Sequence, residues 1–181
     1  MSPSLLSEED LCVVEEWKKK EVGVLEPINM GRLGQVDGMS VVCADPGRFP
    51  DIYRHHRTVA SSVVAPLALF GGALLIAEDS PLNEGWREDL VILRHIKLGK
   101  SLLGLEHVSL YGHWPCKAAA GVNLSLREAA NLVVKAKYRI LKEIPGIRLT
   151  CLFHVDFRPH RDKMNSYFFN RRAWEAWHAR N

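Results

Sequence analysis

Short apolar runs alternate with longer segments of helical periodicity along this sequence. Four apolar runs have the length of strands, and they lie at Met39–Cys43, Ala73–Ala77, His107–Tyr111 and Leu149–Val155. Segments with helical periodicity precede or separate them, at Glu8–Glu21, Asp51–Leu69, Trp86–Leu103 and Ser125–Glu143. Strands that alternate with helices are joined by right-handed crossovers and form a mostly parallel sheet with helices on both faces. The sequence therefore predicts an α/β fold with a mostly parallel central β-sheet flanked by helices.

Capping residues and prolines indicate where some of these segments begin, bend or end. Ser125 is followed three residues later by Glu128, which is the pattern of a capping box at a helix start. Gly104 directly follows Leu103 and is predicted to end that helix. Pro66 predicts a kink or break inside the Asp51–Leu69 segment, because proline lacks the amide proton that a helix interior needs.

The chain has the length and composition of one globular domain. Its 181 residues are 47% hydrophobic and 25% charged, which suffices to bury a single core. We predict one domain over 1–181, with an N-terminal helical arm at 1–35 and an α/β core at 36–157. A C-terminal tail follows at 158–181 and is predicted to be helical from Arg171.

The charge of the chain is nearly balanced, and its basic excess lies at the C-terminal end. The 24 basic and 21 acidic residues give a net charge of +3, and no long basic block precedes the tail. A nucleic-acid partner is therefore not expected. The tail is basic and aromatic, with Trp174 and Trp177 near its end. We interpret it as an amphipathic helix that covers a sheet face or a dimer partner, and the alternative is a docking surface for protein or RNA.

Neither a membrane span nor a secretion signal is predicted. The 20 residues of Thr58–Ala77 carry no charge and are long enough to cross a bilayer. Pro66 and the pair Gly71 and Gly72 interrupt this stretch, so it is interpreted as buried core. The chain begins with an acidic segment instead of a basic region followed by an apolar one, and we predict a cytoplasmic protein.

The four cysteines lie far apart in the sequence, at Cys12, Cys43, Cys116 and Cys151. In a reducing compartment such thiols are core residues, metal ligands or nucleophiles more often than disulfides. Cys12 and Cys151 have no polar companions nearby and are interpreted as core residues.

Cys43, His113 and Cys116 are predicted to lie at one edge of the sheet. Cys43 ends the first strand, His113 follows the third, and Cys116 comes three residues later at the start of a helix, where its thiolate is favoured. Parallel α/β sheets bind ligands beyond the carboxyl ends of their strands, and zinc takes thiolate and imidazole ligands. We predict a zinc site whose fourth position is open or held by a carboxylate. Taken singly, Cys43 and His113 are also compatible with an ordinary core cysteine and a turn histidine.

At these residues the chain resembles the β-class carbonic anhydrases. The family's motifs match Cys43-Ala44-Asp45 and His113-Trp114-Pro115-Cys116, and the similarity spans Val41 to Phe157. The resemblance implies that both cysteines and the histidine bind zinc. It also implies that Asp45 and Arg48 form a catalytic pair beside the metal, in which Asp45 is either held by Arg48 or is itself the fourth ligand.

The chain departs from the family pattern in three places. Pro46 and Gly47 place Arg48 one residue later than the family's arginine, which favours Asp45 as a metal ligand. Lys117 follows the second cysteine where the family usually has glycine. Glu78-Asp79-Ser80-Pro81 stands where we align the family's Arg-Asn-Ala-Gly stretch, so a different pocket wall is expected.

The function implied by the resemblance is reversible hydration of CO2 to bicarbonate at a zinc ion. Hydrolysis of carbonyl sulfide or carbon disulfide is an alternative, and a catalytically inactive zinc-binding relative with a structural or interaction role is another. A homodimer or higher oligomer is expected from the resemblance and from Trp17, whose apolar helix face requires a partner surface.

Overall fold

The computed structural model describes residues 5–28, 38–60, 64–83, 85–158, 160 and 164–181, with the backbone alone described for 55–60. The sequence predicts a glycine-rich loop after the first helix, and its residues 29–37 lie outside the described residues. No described helix is long and apolar enough to cross a membrane.

In the described part of the chain, six strands form one sheet in the order β1-β6-β5-β4-β2-β3. The strands are β1 (Leu25–Pro27), β2 (Gly38–Cys43), β3 (Val64–Leu69), β4 (His107–Trp114), β5 (Arg148–Asp156) and β6 (Met164–Phe169). The pairs β3·β2, β2·β4 and β4·β5 are parallel, whereas β5·β6 and β6·β1 are antiparallel. The predicted α/β fold with a mostly parallel sheet is confirmed.

Six α-helices and one 3-10 helix accompany the sheet in the described part of the chain. They are α1 (Glu8–Lys18), α2 (Phe49–Ala60), α3 (Glu88–Leu103), α4 (Lys117–Gly121), α5 (Leu126–Glu143), α6 (Arg171–His178) and the 3-10 helix Gly72–Ile76. The predicted capping box is present, since the Ser125 hydroxyl accepts from Glu128 N and the Glu128 carboxylate accepts from Ser125 N. The tail is helical from Arg171, as predicted.

Two predicted elements between α2 and α3 are wrong. The helix expected over Asp51–Leu69 ends at Ala60, and Val64–Leu69 is an edge strand instead. Proline at position 66 restricts the preceding residue to extended conformations and is tolerated at a sheet edge. The strand expected at Ala73–Ala77 is largely the 3-10 helix, whose residues are all buried. Apolar periodicity does not distinguish a short buried helix from a buried strand.

The larger core lies on the sheet face covered by α1, α5 and α6. Trp17 of α1 is fully buried and meets Trp174 and Trp177 of α6 edge-on, with ring centroids 5.1 and 5.4 Å apart. It also contacts Phe153 of β5 at 6.4 Å. The tail therefore covers a sheet face, as predicted, and Trp17 finds its partners within the chain, so our expectation that it needs another subunit was wrong.

The chain reverses its path across the sheet between β2 and β4. From β2 it moves outward to β3 and then returns to place β4 on the other side of β2. In open α/β sheets, the crevice beyond the carboxyl ends of the strands at such a switch point is the usual ligand-binding position. The residues that end β2 and β4 therefore lie at the usual position of a ligand-binding site in this class of fold.

Candidate metal centre

Cys43, His113 and Cys116 come together at the switch point. Their ligand atoms all lie within 4.8 Å of one another, and the residues are 2%, 3% and 1% exposed. Cys43 is the last residue of β2, while Cys116 lies two residues beyond β4. His113 is inside β4, because this strand extends to Trp114 instead of ending at Tyr111 as predicted. The three side chains form a buried group that could bind a metal ion.

The imidazole of His113 lacks the partners that a buried polar group requires. Both ring nitrogens are buried, and neither has a hydrogen-bond partner. Leaving buried donors and acceptors unpaired costs free energy, so native proteins rarely do so without a ligand or a functional role. A metal bound to one nitrogen would remove part of this cost. Two sulfurs and one imidazole are a donor set that suits zinc.

The pKa values of the two thiols, Cys43 and Cys116, are shifted in opposite directions. A hydrogen bond from Cys116, with smaller contributions from His113 and Gly71, holds the pKa of Cys43 below its usual range despite burial. The same hydrogen bond and burial raise the pKa of Cys116. We expected the helix start to favour the thiolate of Cys116; the amide hydrogen bonds from the first turn of the helix do lower its pKa, but the contact with Cys43 and burial outweigh them.

Two glycines, Gly71 and Gly72, pack directly against Cys43. Gly71 N–H donates a hydrogen bond to the Cys43 sulfur at 3.3 Å. A Cβ atom on Gly72 would lie 2.5 Å from the Cys43 backbone nitrogen, and its φ of +52° is also unfavourable for other residues. In the sequence the pair only interrupts an apolar stretch. No signal in the sequence indicated this close approach, because strand β3, which ends two residues before the pair, was itself predicted as part of a helix.

The Asp45 carboxylate is buried and accepts a hydrogen bond from within its own turn. Its Oδ1 accepts the Gly47 amide proton at 2.8 Å, and the residue is 7% exposed. Within the described residues, the group of mutually close ligand atoms contains the two cysteines and the histidine but not Asp45. Coordination of a bound metal by Asp45 thus stays a prediction.

Arg48 is paired with a carboxylate that sequence analysis did not identify. Its Nη2 lies 2.6 Å from Oδ2 of Asp156, the last residue of β5, and both side chains are buried. In the described part of the chain, no ion pair joins Arg48 to Asp45. Asp156 was missed because its pairing with Arg48 joins residues far apart in the sequence and depends on the sheet.

A second histidine lies beside His113. His154 of β5 is in register with His113 of β4, and its Nδ1 lies 2.9 Å from the Ser166 hydroxyl. Its Nε2 is 3.5 Å from Oδ2 of Asp51 in α2. These contacts join α2, β5 and β6 next to the candidate metal centre.

The remaining cysteines differ in burial. Cys151 is buried in β5, which agrees with its prediction as a core residue. Cys12 is exposed, so the same prediction was wrong for it: α1 buries Val14 and Trp17 and turns Cys12 toward solvent.

Comparison of the sequence with protein-family models gives no match, and comparison with curated proteins gives none either.

Proposed function

We propose that this protein is a zinc enzyme that resembles the β-class carbonic anhydrases in fold and catalyses the reversible hydration of CO2 to bicarbonate. The observation that carries the proposal is the composition of the cluster. Catalytic zinc sites have three protein ligands and an open position, whereas structural sites have four. The described residues supply Cys43, His113 and Cys116, which corresponds to the catalytic number.

The chemistry of such a site suits a small electrophile. Zinc held by three protein ligands lowers the pKa of its bound water to about 7 and so supplies a nucleophile at neutral pH. The ligands are at most 3% exposed, which favours a substrate as small as CO2 over a larger ester or peptide. Carbonyl sulfide and carbon disulfide have the same linear shape and are the alternative substrates.

The residues around the ligands have separate roles in this proposal. Gly71 orients the Cys43 sulfur through its amide proton. His113 can bind the metal through a ring nitrogen without breaking a hydrogen bond. Asp45 and Arg48 are the proposed catalytic pair, on the strength of the resemblance. Asp45 follows Cys43 by two residues and would have to leave Gly47 to act at the metal.

A second candidate is a zinc-binding relative without catalytic activity. The observation that favours it is the position of the pair: Asp45 is bound to Gly47 and Arg48 to Asp156, so the two side chains are not joined to each other.

Zinc content per chain and the rate of CO2 hydration at two pH values test these candidates together. One zinc per chain with hydration that disappears in His113→Ala supports the enzyme. One zinc per chain without hydration of CO2, and without hydrolysis of carbonyl sulfide or carbon disulfide, supports the inactive relative. Absence of zinc after purification in zinc-containing buffer overturns both candidates.

A further inference from the structure

The turn that follows Cys43 is anchored to a neighbouring strand by one buried carboxylate. We infer that Asp156 is a positioning residue of the metal centre: through Arg48 it fixes the turn from Asp45 to Arg48, so that the Asp45 carboxylate stays on Gly47. The part of this inference that concerns the metal rests on the proposed function. The anchoring of the turn does not.

Within the turn, the Gly47 residue is held from both sides. Asp45 Oδ1 accepts its N–H at 2.8 Å, and Arg48 Nη1 donates to its carbonyl oxygen at 3.2 Å. The Asp45 carbonyl closes the turn by accepting from Arg48 N at 3.0 Å and from Phe49 N at 2.8 Å. The orientation of the Asp45 carboxylate is therefore linked to the position of the Arg48 guanidinium.

Outside the turn, the guanidinium is held by Asp156. The Nη2 to Oδ2 distance is 2.6 Å, and the Arg48 and Asp156 side chains are 7% and 3% exposed. The Nε atom of Arg48 is buried without a hydrogen-bond partner, so the Asp156 and Gly47 contacts determine where the group lies. Asp156 itself is fixed by Arg158, whose Nε and Nη2 each donate to it at 2.9 Å.

Asp156 connects this turn to the strand next to His113. It ends β5, and His154, two residues earlier, is in register with His113. Because side chains alternate along a strand, His154 and Asp156 lie on the same sheet face. Loss of the Asp156 charge would release Arg48, remove its hold on the Gly47 carbonyl and free Asp45 to move toward the ligands.

Amide hydrogen exchange of the metal-free protein, followed by NMR, tests the anchoring. In Asp156→Asn we expect exchange of the Gly47 N–H to accelerate about tenfold or more, because its local opening becomes easier. Asp89→Asn is the matched control: Asp89 lies 2.8 Å from Arg139, and that pair has the same side-chain exposures of 7% and 3%. The control should leave Gly47 exchange unchanged, and unchanged exchange in Asp156→Asn overturns the inference.

Removing one charge of a buried pair can prevent folding, since the partner is left uncompensated. The double variant Arg48→Gln/Asp156→Asn removes both charges and loses the same anchor. It should show the same faster exchange at Gly47, and slow exchange there would also overturn the inference.

Cobalt(II) bound in place of zinc tests the effect on the metal. We expect Asp156→Asn to shift the visible absorption spectrum, and Asp45→Asn/Asp156→Asn to return it to that of the unsubstituted protein, because the freed carboxylate is gone. Loss of stability alone would not be reversed by the second substitution. An unshifted spectrum overturns the positioning role, whereas failure of the unsubstituted protein to bind cobalt or zinc overturns the proposed function and leaves the exchange result to decide the anchoring.

Discussion

At the scale of single residues, the side chains of the candidate centre differ from those of the proposed catalytic pair in whether they already have partners. His113 has two buried ring nitrogens without hydrogen-bond partners, and Cys43 receives an amide hydrogen bond that stabilises its thiolate. Asp45 and Arg48 have partners already, in Gly47 and Asp156. The ligands are therefore available to a metal as they stand, whereas the catalytic pair would require a rearrangement.

Replacing Cys116 by serine should abolish stoichiometric zinc binding, because a hydroxyl is a much poorer zinc ligand than a thiolate. Metal content per chain, measured by elemental analysis, gives the result. Cys151→Ser is the control, since Cys151 is equally buried but lies outside the cluster. Full zinc in Cys116→Ser would show that the proposed ligand set is incorrect.

Replacing Gly72 by alanine should displace the backbone at Cys43. The added Cβ would meet the Cys43 nitrogen at 2.5 Å, whereas at Gly104, which has a similar positive φ, it would meet nothing within 4 Å. We expect Gly72→Ala to lower the free energy of unfolding by about 1–3 kcal/mol more than Gly104→Ala, as overpacking does. Urea denaturation measures both variants, and equal losses would argue against a close approach at Gly72.

At the scale of elements, helix α5 carries the clearest start signal of the chain. Ser125 and Glu128 exchange hydrogen bonds at its first turn, and those bonds hold the pKa of Glu128 below its usual range. Ser125→Ala should therefore lower the free energy of unfolding by about 1 kcal/mol. Ser101→Ala is the control, because the Ser101 hydroxyl donates to Leu98 O near the end of α3 and caps no helix start. A loss no larger than that of the control would contradict the prediction.

The sequence predicts those elements whose ends carry local signals. Ser125 and Gly104 marked α5 and α3, and both helices were found where the pattern placed them. Strand β3 was missed because its pairing with β2 is a long-range contact that no local periodicity encodes.

The same distinction holds for the site. The positions of Cys43, His113 and Cys116 at predicted strand ends, with the family resemblance, predicted the cluster. The Arg48–Asp156 pair joins residues more than a hundred positions apart and required the sheet order.

At the scale of the whole molecule, two buried aspartates link stability to pH. Hydrogen bonds from Arg87 and Arg139 overcome burial and hold the pKa of Asp89 below its usual range. Arg158 and Arg48 do the same for the pKa of Asp156. An aspartate whose pKa is lower in the folded than in the unfolded state stabilises the fold. This contribution is complete at pH values above the unfolded-state pKa of about 3.9, and it is lost as the pH falls through the folded-state pKa.

The free energy of unfolding should therefore fall as the pH is lowered from 6 toward 3, and less steeply in Asp89→Asn than in the unsubstituted protein. Urea titrations across this range measure the slope. Glu21→Gln, at an exposed glutamate, is the control and should leave the slope unchanged. A slope in Asp89→Asn as steep as in the unsubstituted protein would contradict the prediction.

A homodimer or higher oligomer is the prediction for the assembled molecule. Large apolar side chains face solvent in the single chain, including Trp86 at 84%, Leu102 at 74% and Phe70 at 68% exposure. Association with a second copy would remove such exposed apolar side chains from water. Sedimentation velocity at micromolar concentration measures the state, and a single monomeric species would contradict the prediction.

The contact between α1 and α6 also determines when, during synthesis, the chain can close its core. Trp17 leaves the ribosome early, but its ring partners Trp174 and Trp177 belong to α6, near the C-terminus of the chain. Strand β1 pairs with β6 in the described part of the chain, and β6 is also made late. The three residues of the candidate metal centre emerge before either partner, so a nascent chain carries these three residues before Trp17 can meet Trp174 and Trp177.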